Sequence, residues 1–212
     1  MAIDTGMLSR VLEKSYFEIG KDLKYFPRSK TVVLFYPQDI FKNIFKMSDE
    51  TRAFYDGNIR IPLPDKPLSD QELFSYIYHE YTHAVVSAKT DNKCPVWFSE
   101  GIAVWEQFKS KDVLLAGAVG RFINDTPISV DAMDAAFNQR DKNEKNIGKY
   151  YILSYTAVQY IIDTWGVDGL RHLLERIKSG RHVVNAIDDE FLLSEKEFEE
   201  RWQNYVAKKY TR

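Results

Sequence analysis

The sequence predicts an α+β fold in which a small N-terminal mixed sheet precedes a mostly helical remainder. Strand-like runs of β-branched and aromatic residues are concentrated in the first third of the 212 residues. After them, apolar residues recur at helical spacing, without internal repeats or low-complexity segments. With 44% hydrophobic residues the chain can bury a proper core, and its length suits a single two-lobed domain.

The N-terminal elements follow from residue periodicity and turn signals. Apolar residues at helical spacing predict helices, continuous apolar runs predict strands, and Asp56-Gly57 predicts a turn between the last two strands. The expected elements are a helix at 7–23, a strand at 31–36, a short helix at 39–45, and strands at 53–55 and 58–63.

A long helix is predicted from about Asp70 to Lys89. Ser69-Asp70-Gln71-Glu72 has the pattern of a capping box, in which the serine and glutamate side chains bond to backbone N–H groups of the first turn. Apolar residues follow on successive turns. The helix should end near Asp91-Asn92, with Pro95 just beyond.

This helix contains an H-E-x-x-H motif, His79-Glu80-Tyr81-Thr82-His83. Residues four apart lie on one helix face, so the two imidazoles can bind one metal ion. Glu80 projects about 100° round the helix from His79 and can meet metal-bound water as a general base. The spacing therefore predicts a zinc site with its base. The alternative is a surface helix with two unrelated histidines.

Glu100 is the predicted third zinc ligand. It interrupts the apolar segment 96–106, which we expect to form a buried helix after a turn at 91–95. A helix, a tight reversal and an antiparallel helix would bring Glu100 to the metal and leave a fourth position for water. Glu106 is the rival carboxylate, but it lies nearly two turns further on, and we expect it to be a solvated charge on the outer face of the helix.

Two other zinc-binding patterns are absent from the sequence. Metzincins need a glycine three residues and a histidine six residues after the second motif histidine, where this chain has Val86 and Lys89. The single cysteine, Cys94, cannot form an internal disulfide, and no C-x-x-C pair competes for zinc.

Beyond residue 106 the chain is expected to be helical. Ser194-x-x-Glu197 is a second capping box, and Gly166 and Gly180 lie where helix C-terminal caps belong. The expected helices are at 112–123, 129–137, 150–165, 168–179 and 195–210. An N-terminal α/β lobe would span about 1–92 and a helical lobe about 93–212.

These motifs resemble those of the thermolysin-like gluzincins and, within them, the small peptidase MA-like domains of bacteria. The similarity covers most of the chain from about Thr31 onward. It departs from thermolysin at Val104, four residues after Glu100, where thermolysin has an aspartate. The matching segments are His79-Glu80-x-x-His83, Pro95-x-Trp97-Phe98-x-Glu100-Gly101-x-Ala103, Tyr151-x-x-Ser154-Tyr155, Trp165-Gly166, and Ser194 to Tyr205 with Phe198 and Trp202.

The resemblance implies a zincin-like fold and a zinc-dependent peptidase. Glu80 would assist the attack of zinc-bound water on a peptide bond and pass the proton to the leaving amine. Gluzincins commonly add a tyrosine or histidine that stabilises the oxyanion. Tyr155 is the candidate and Tyr151, one turn earlier, is the alternative, although either can be a core residue. His172 and His182 are expected at the surface.

The resemblance also bears on Pro62 and on the kind of substrate. Proline cannot donate to a neighbouring strand, so its strand is expected at a sheet edge, which either receives an extended substrate or is simply a blunted edge. Aminopeptidases of this clan carry a Gly-x-Met-Glu-Asn segment, and no such run precedes His79. We therefore expect an endopeptidase.

The alternative is a catalytically inactive zincin-fold interaction module of a larger protein.

Charge and hydropathy limit the partners. With 29 basic and 31 acidic residues the net charge is −2, which indicates neither nucleic-acid binding nor binding to an anionic membrane. No signal peptide and no membrane-spanning run is recognisable, so a soluble chain is expected. The partner is then a peptide or protein substrate. The resemblance also allows an exported parent protein, or one with helical repeats beside this domain.

Overall fold

The computed structural model describes residues 5–46, 51–63, 68–109, 117, 119–120, 129–138 and 147–210. The α+β prediction is confirmed: a small mixed sheet lies near the N-terminus, and helices make up nearly all the rest of the described chain. The elements are α1 (Thr5–Asp22), β1 (Val33–Pro37), α2 (Gln38–Phe45), β2 (Phe54–Tyr55), β3 (Ile59–Leu63), α3 (Asp70–Thr90), α4 (Val96–Phe108), α5 (Val130–Asn138), α6 (Ile147–Lys178), α7 (Val183–Phe191) and α8 (Glu195–Tyr210).

The chain divides into two compact units, Met1–Ala88 and Lys89–Arg212. The first unit contains the sheet, α1, α2 and most of α3, and the second contains the helices from α4 onward. That both belong to a single two-lobed domain stays a prediction. None of the described helices is long and apolar enough to cross a membrane.

The sheet has the strand order β1-β3-β2, with β3 parallel to β1 and antiparallel to β2. Helix α2 packs beside β1 and β3. Its fully buried Phe41 makes edge contacts with Tyr36 and Phe45 at centroid distances of 6.1 and 5.2 Å, and it lies 5.6 Å from Phe54. This aromatic cluster and the buried residues Ile59 and Ile61 form the core around the sheet.

The expectation that Pro62 marks an edge strand is wrong for β3, which is the central strand. The backbone explains why proline is tolerated there. Ile59 N–H donates to the Val32 carbonyl on the β1 side at 2.9 Å, so Arg60 and Pro62 direct their backbone groups to the opposite side. On that side, within the described residues, β2 pairs only with Ile59 and Arg60. Pro62 therefore removes no hydrogen bond from the ladder.

Both predicted capping boxes are present. Glu72 N–H donates to Ser69 Oγ at 3.3 Å, and Ser69 N–H donates back to Glu72 Oε2 at 2.8 Å. Ser194 and Glu197 repeat this arrangement with distances of 3.4 and 3.0 Å. Each pair satisfies backbone donors that have no partner within the helix, which explains why α3 and α8 begin where they do.

In the second unit, α4 and α6 approach each other closely at Gly101. A Cβ atom there would lie 2.4 Å from the backbone oxygen of Ser154, so only glycine allows this approach. Trp97, Phe98 and Ile102 of α4 are fully buried. The close contact thus limits the positions that Glu100 and Ile102, the neighbours of Gly101 in α4, can take.

Helix α6 keeps the predicted break at Gly166 as a kink. Gly166 has φ 71° and ψ 176°, a backbone conformation that other residues rarely adopt, and the two segments together run from Ile147 to Lys178. Helix α8 is held by the buried Phe198, Trp202 and Val206, and the Trp202 indole N–H donates to Thr156 Oγ1 at 3.1 Å.

One helix differs from expectation, and another falls mainly outside the described residues. Helix α7 was not predicted, because its nine residues are too few turns for the helical spacing of the apolar residues to stand out. Of the helix expected at 112–123, the structure describes residues 117 and 119–120, which are helical, and the other residues lie outside the described ranges.

Replacing Gly101 by alanine should destabilise the protein by about 1–3 kcal/mol, because the new methyl group would meet backbone rather than a movable side chain. Urea or thermal unfolding measures this. Gly148→Ala is the matched control: among the described residues, no atom beyond its chain neighbours and its own helix backbone lies within 4 Å of its Cβ position in α6, so this variant should be neutral or slightly more stable. Equal stability of the two variants would contradict the packing argument.

Candidate metal centre

Helix α3 places His79 and His83 on one face. Their ring centroids are 4.9 Å apart with an interplanar angle of 80°, and both residues are half-buried. The helix has its other sides packed, with Ile77, Tyr78 and Val85 almost fully buried. The two imidazoles are therefore held by a helix that cannot rotate without exposing its apolar side.

The other residues between the two histidines are buried with the helix. Thr82 is fully buried and its hydroxyl donates to the Tyr78 carbonyl at 2.7 Å. Burial, with a smaller contribution from Tyr16, raises the pKa of Tyr81 to about 12, so its phenol is neutral at physiological pH. Glu80 itself is 6% exposed. Within the motif, the groups with chemistry to offer are thus Glu80 and the two histidines.

Helix α4 places Glu100 in its second turn. The reversal before it uses left-handed backbone at Asp91 and Asn92, with φ 52° and 60°, which these two residue types tolerate well. Pro95 then acts as N-cap residue in an extended conformation, and its carbonyl accepts from Phe98 and Ser99 N–H. Glu100 is half-buried.

Among the described residues, His79, His83 and Glu100 form the group that could hold a metal ion. One ligand atom of each lies within 4.8 Å of the others. Two imidazole nitrogens and a carboxylate oxygen are a usual donor set for catalytic zinc, where bonds of about 2.1 Å put ligand atoms about 3.4 Å apart. The chemistry of this donor set therefore fits zinc. The three residues are those that the motif and spacing predicted.

The candidate oxyanion tyrosines differ in their surroundings. Tyr155 is 1% exposed, and its hydroxyl donates to Gln159 Oε1 at 3.2 Å. Tyr151 is half-buried, with its ring edge against Phe137 at a centroid distance of 5.2 Å. The role of either tyrosine stays a prediction. Sequence reasoning missed Gln159, whose spacing of four residues from Tyr155 was a usable signal.

Glu106 is not the solvated charge that was expected. Its side chain is fully buried, and a carboxylate oxygen accepts from Lys109 Nζ at 2.6 Å. The expectation was wrong because α4 is covered on more than one side, with every residue from Gly101 to Glu106 buried. Glu106 does not belong to the group of possible metal ligands.

The remaining candidates agree with their expected minor roles. His172 and His182 are exposed, and His172 pairs with Glu190 at 2.8 Å. Cys94 is half-buried as a residue, but its thiol is enclosed, and this burial raises the thiol pKa. The sulfur is therefore a poor metal ligand.

Comparison with known families assigns the chain to a class. A model of the Peptidase MA superfamily matches residues 71–208, which is more than half of the chain and includes all three possible ligands. The chain therefore belongs to the Peptidase MA superfamily, and the resemblance seen in its motifs is confirmed. Members of this superfamily are generally metal-dependent. Neither curated proteins nor solved structures gave a match.

Loss of a residue that only hydrogen-bonds to a metal ligand lowers metal affinity roughly 10–100-fold. His83→Ala removes a proposed ligand itself, so it should lower zinc affinity by more than this. Zinc content after dialysis, measured by mass spectrometry, and titration against a zinc indicator test this. His172→Ala is the control, since it removes an exposed imidazole outside the group and should leave zinc affinity unchanged. A zinc affinity that His83→Ala does not alter would contradict the assignment.

Proposed function

We propose that this protein is a zinc-dependent endopeptidase in which His79, His83 and Glu100 hold the metal and Glu80 is the general base. The observation that carries the proposal is the group of two imidazoles and one carboxylate within 4.8 Å, in a chain of the Peptidase MA superfamily. The substrate is then a peptide or protein. Peptide-bond hydrolysis needs no other cofactor.

Each ligand residue has a separate part in this proposal. The imidazoles of α3 supply two neutral nitrogen ligands, and the Glu100 carboxylate adds one negative charge. A bound zinc ion supplies Lewis-acid chemistry, which makes water a better nucleophile at neutral pH and polarises a carbonyl group. Three protein ligands leave a coordination position open, as catalytic rather than structural zinc sites do.

Glu80 carries the proton transfers. It neighbours His79 in sequence but projects to a different side of the helix, so it need not bind the metal itself. As general base it takes a proton from the attacking water, and as general acid it delivers that proton to the leaving amine. Glu80 is 6% exposed, so few bulk water molecules reach its carboxylate and compete for the proton that it transfers.

Tyr155 is the proposed donor to the developing oxyanion. Its phenol donates one hydrogen bond and is not ionised by the reaction. Ser154, the residue before Tyr155, is in close contact with Gly101, so this turn of α6 lies directly beside α4. The proposal keeps Tyr151 as the alternative donor.

Glu80→Gln should leave zinc binding intact and reduce peptide hydrolysis by about 10²–10⁴-fold, because glutamine matches the size of glutamate but cannot take the proton. Cleavage of a fluorogenic peptide library and zinc content are measured together. Glu200→Gln, an exposed glutamate of α8, is the matched control and should behave as the parent protein. Retained hydrolysis by Glu80→Gln would overturn the mechanism, and absence of zinc from the parent protein would favour an interaction module.

Tyr155→Phe should lower kcat by about 10²–10³-fold with little change in KM, the usual loss for one oxyanion donor. Tyr151→Phe is compared under the same conditions and should have a small effect. If the two variants exchange these behaviours, Tyr151 is the donor. The same peptide library, read by mass spectrometry, defines which side chains flank the cleaved bond.

A further inference from the structure

A chain of polar side chains runs along α6 from the buried Tyr155 to the protein surface. Tyr155, Gln159 and Asp163 follow one another at four-residue spacing, so they lie on one helix face. The Tyr155 hydroxyl donates to Gln159 Oε1 at 3.2 Å, and Gln159 Nε2 donates to Asp163 Oδ1 at 2.6 Å. The exposure rises from 1% at Tyr155 and 8% at Gln159 to a surface carboxylate at Asp163.

The outer end of this chain is held from α8. Tyr205 hydroxyl and Lys209 Nζ both donate to Asp163 Oδ2, at 2.6 and 2.8 Å. Burial alone would raise the pKa of Asp163, but the hydrogen bonds from Lys209, Tyr205 and Gln159 outweigh it and hold the pKa below its usual range. Asp163 is therefore ionised at neutral pH and can only accept hydrogen bonds.

The ionised Asp163 determines how the Gln159 amide and the Tyr155 hydroxyl are oriented. Because the ionised carboxylate only accepts, the NH₂ group of Gln159 must face Asp163 and its carbonyl must face Tyr155. The single hydroxyl proton of Tyr155 then points to Gln159. A glutamine without the carboxylate beside it could turn either end to the phenol.

We propose that Asp163 is a positioning residue that acts through Gln159 to set the direction of the Tyr155 O–H bond. The inference rests on the proposed function, because it matters for catalysis if Tyr155 is the oxyanion donor. Gln159 then satisfies the buried hydroxyl in the resting protein, and the hydroxyl must turn away from Gln159 when an oxyanion forms. The chain thus sets how readily the donor is released.

Asp163→Asn should reverse the chain. Lys209 is donor-only, so the carbonyl of the introduced amide faces Lys209 and its NH₂ group faces Gln159. Gln159 must then turn its own carbonyl outward and its NH₂ toward the phenol oxygen. The Tyr155 proton no longer has the Gln159 carbonyl as its resting acceptor and is more readily donated to an oxyanion. The same change at Asp168, an exposed residue of α6 that pairs with Arg171, leaves the chain intact and is the control.

Nuclear Overhauser contacts between the Gln159 side-chain amide protons and the Tyr155 ring protons read the orientation directly. We expect these contacts to be weak in the parent protein and in Asp168→Asn, and strong in Asp163→Asn. In the same variant kcat should rise about threefold to tenfold with KM unchanged, which is the effect of releasing one hydrogen bond. In a Gln159→Leu background, Asp163→Asn should no longer change kcat.

The outcomes separate this inference from the proposed function. Unchanged amide contacts in Asp163→Asn would overturn the inference whether or not the protein hydrolyses peptides. Reversed contacts with unchanged kcat would remove Asp163 from catalysis, and so would an effect on kcat that persists in Gln159→Leu. A parent protein without hydrolysis refutes the proposed function alone, because the amide contacts still decide the orientation.

Discussion

The candidate site depends first on the rigidity of α3. Two imidazoles four residues apart can approach one ion only while the backbone between them is helical, and the rings do lie 4.9 Å apart. The Ser69 and Glu72 capping box begins the helix, and buried Ile77, Tyr78 and Val85 hold its apolar side. A metal ion could therefore bind without first ordering the two histidines, and little conformational entropy would be lost in forming the site.

The third possible ligand depends on a different constraint, the close contact of α4 with α6. Gly101 comes so near to Ser154 that any side chain at that position would collide with backbone. Glu100 and Tyr155 are the residues next to this contact, one on each helix. A single glycine thus ties the position of a proposed ligand to that of a proposed oxyanion donor, and a shift of either helix would disturb both.

Two carboxylates of this protein, the buried Glu106 and the surface residue Asp163, accept hydrogen bonds from named donors. Glu106 is paired with Lys109, and Asp163 collects donors from Lys209, Tyr205 and Gln159. Such networks are costly to leave half-made, so they favour one side-chain arrangement over others. In α6, the ionised Asp163 sets the donor-to-acceptor direction of the hydrogen bonds that link it through Gln159 to the hydroxyl of Tyr155.

Local sequence determined the features that depend on neighbours in the chain: the α+β order of elements, both capping boxes, the break at Gly166, and the position of His79 and His83 on one helix face. Periodicity and capping act within one helix, so they can be seen without a structure. The central position of β3, the burial of Glu106 and the hydrogen bonds that α8 donates to Asp163 were decided by tertiary structure. Each depends on how separate elements pack together, and no local pattern records which residue will cover a strand or pair with a carboxylate.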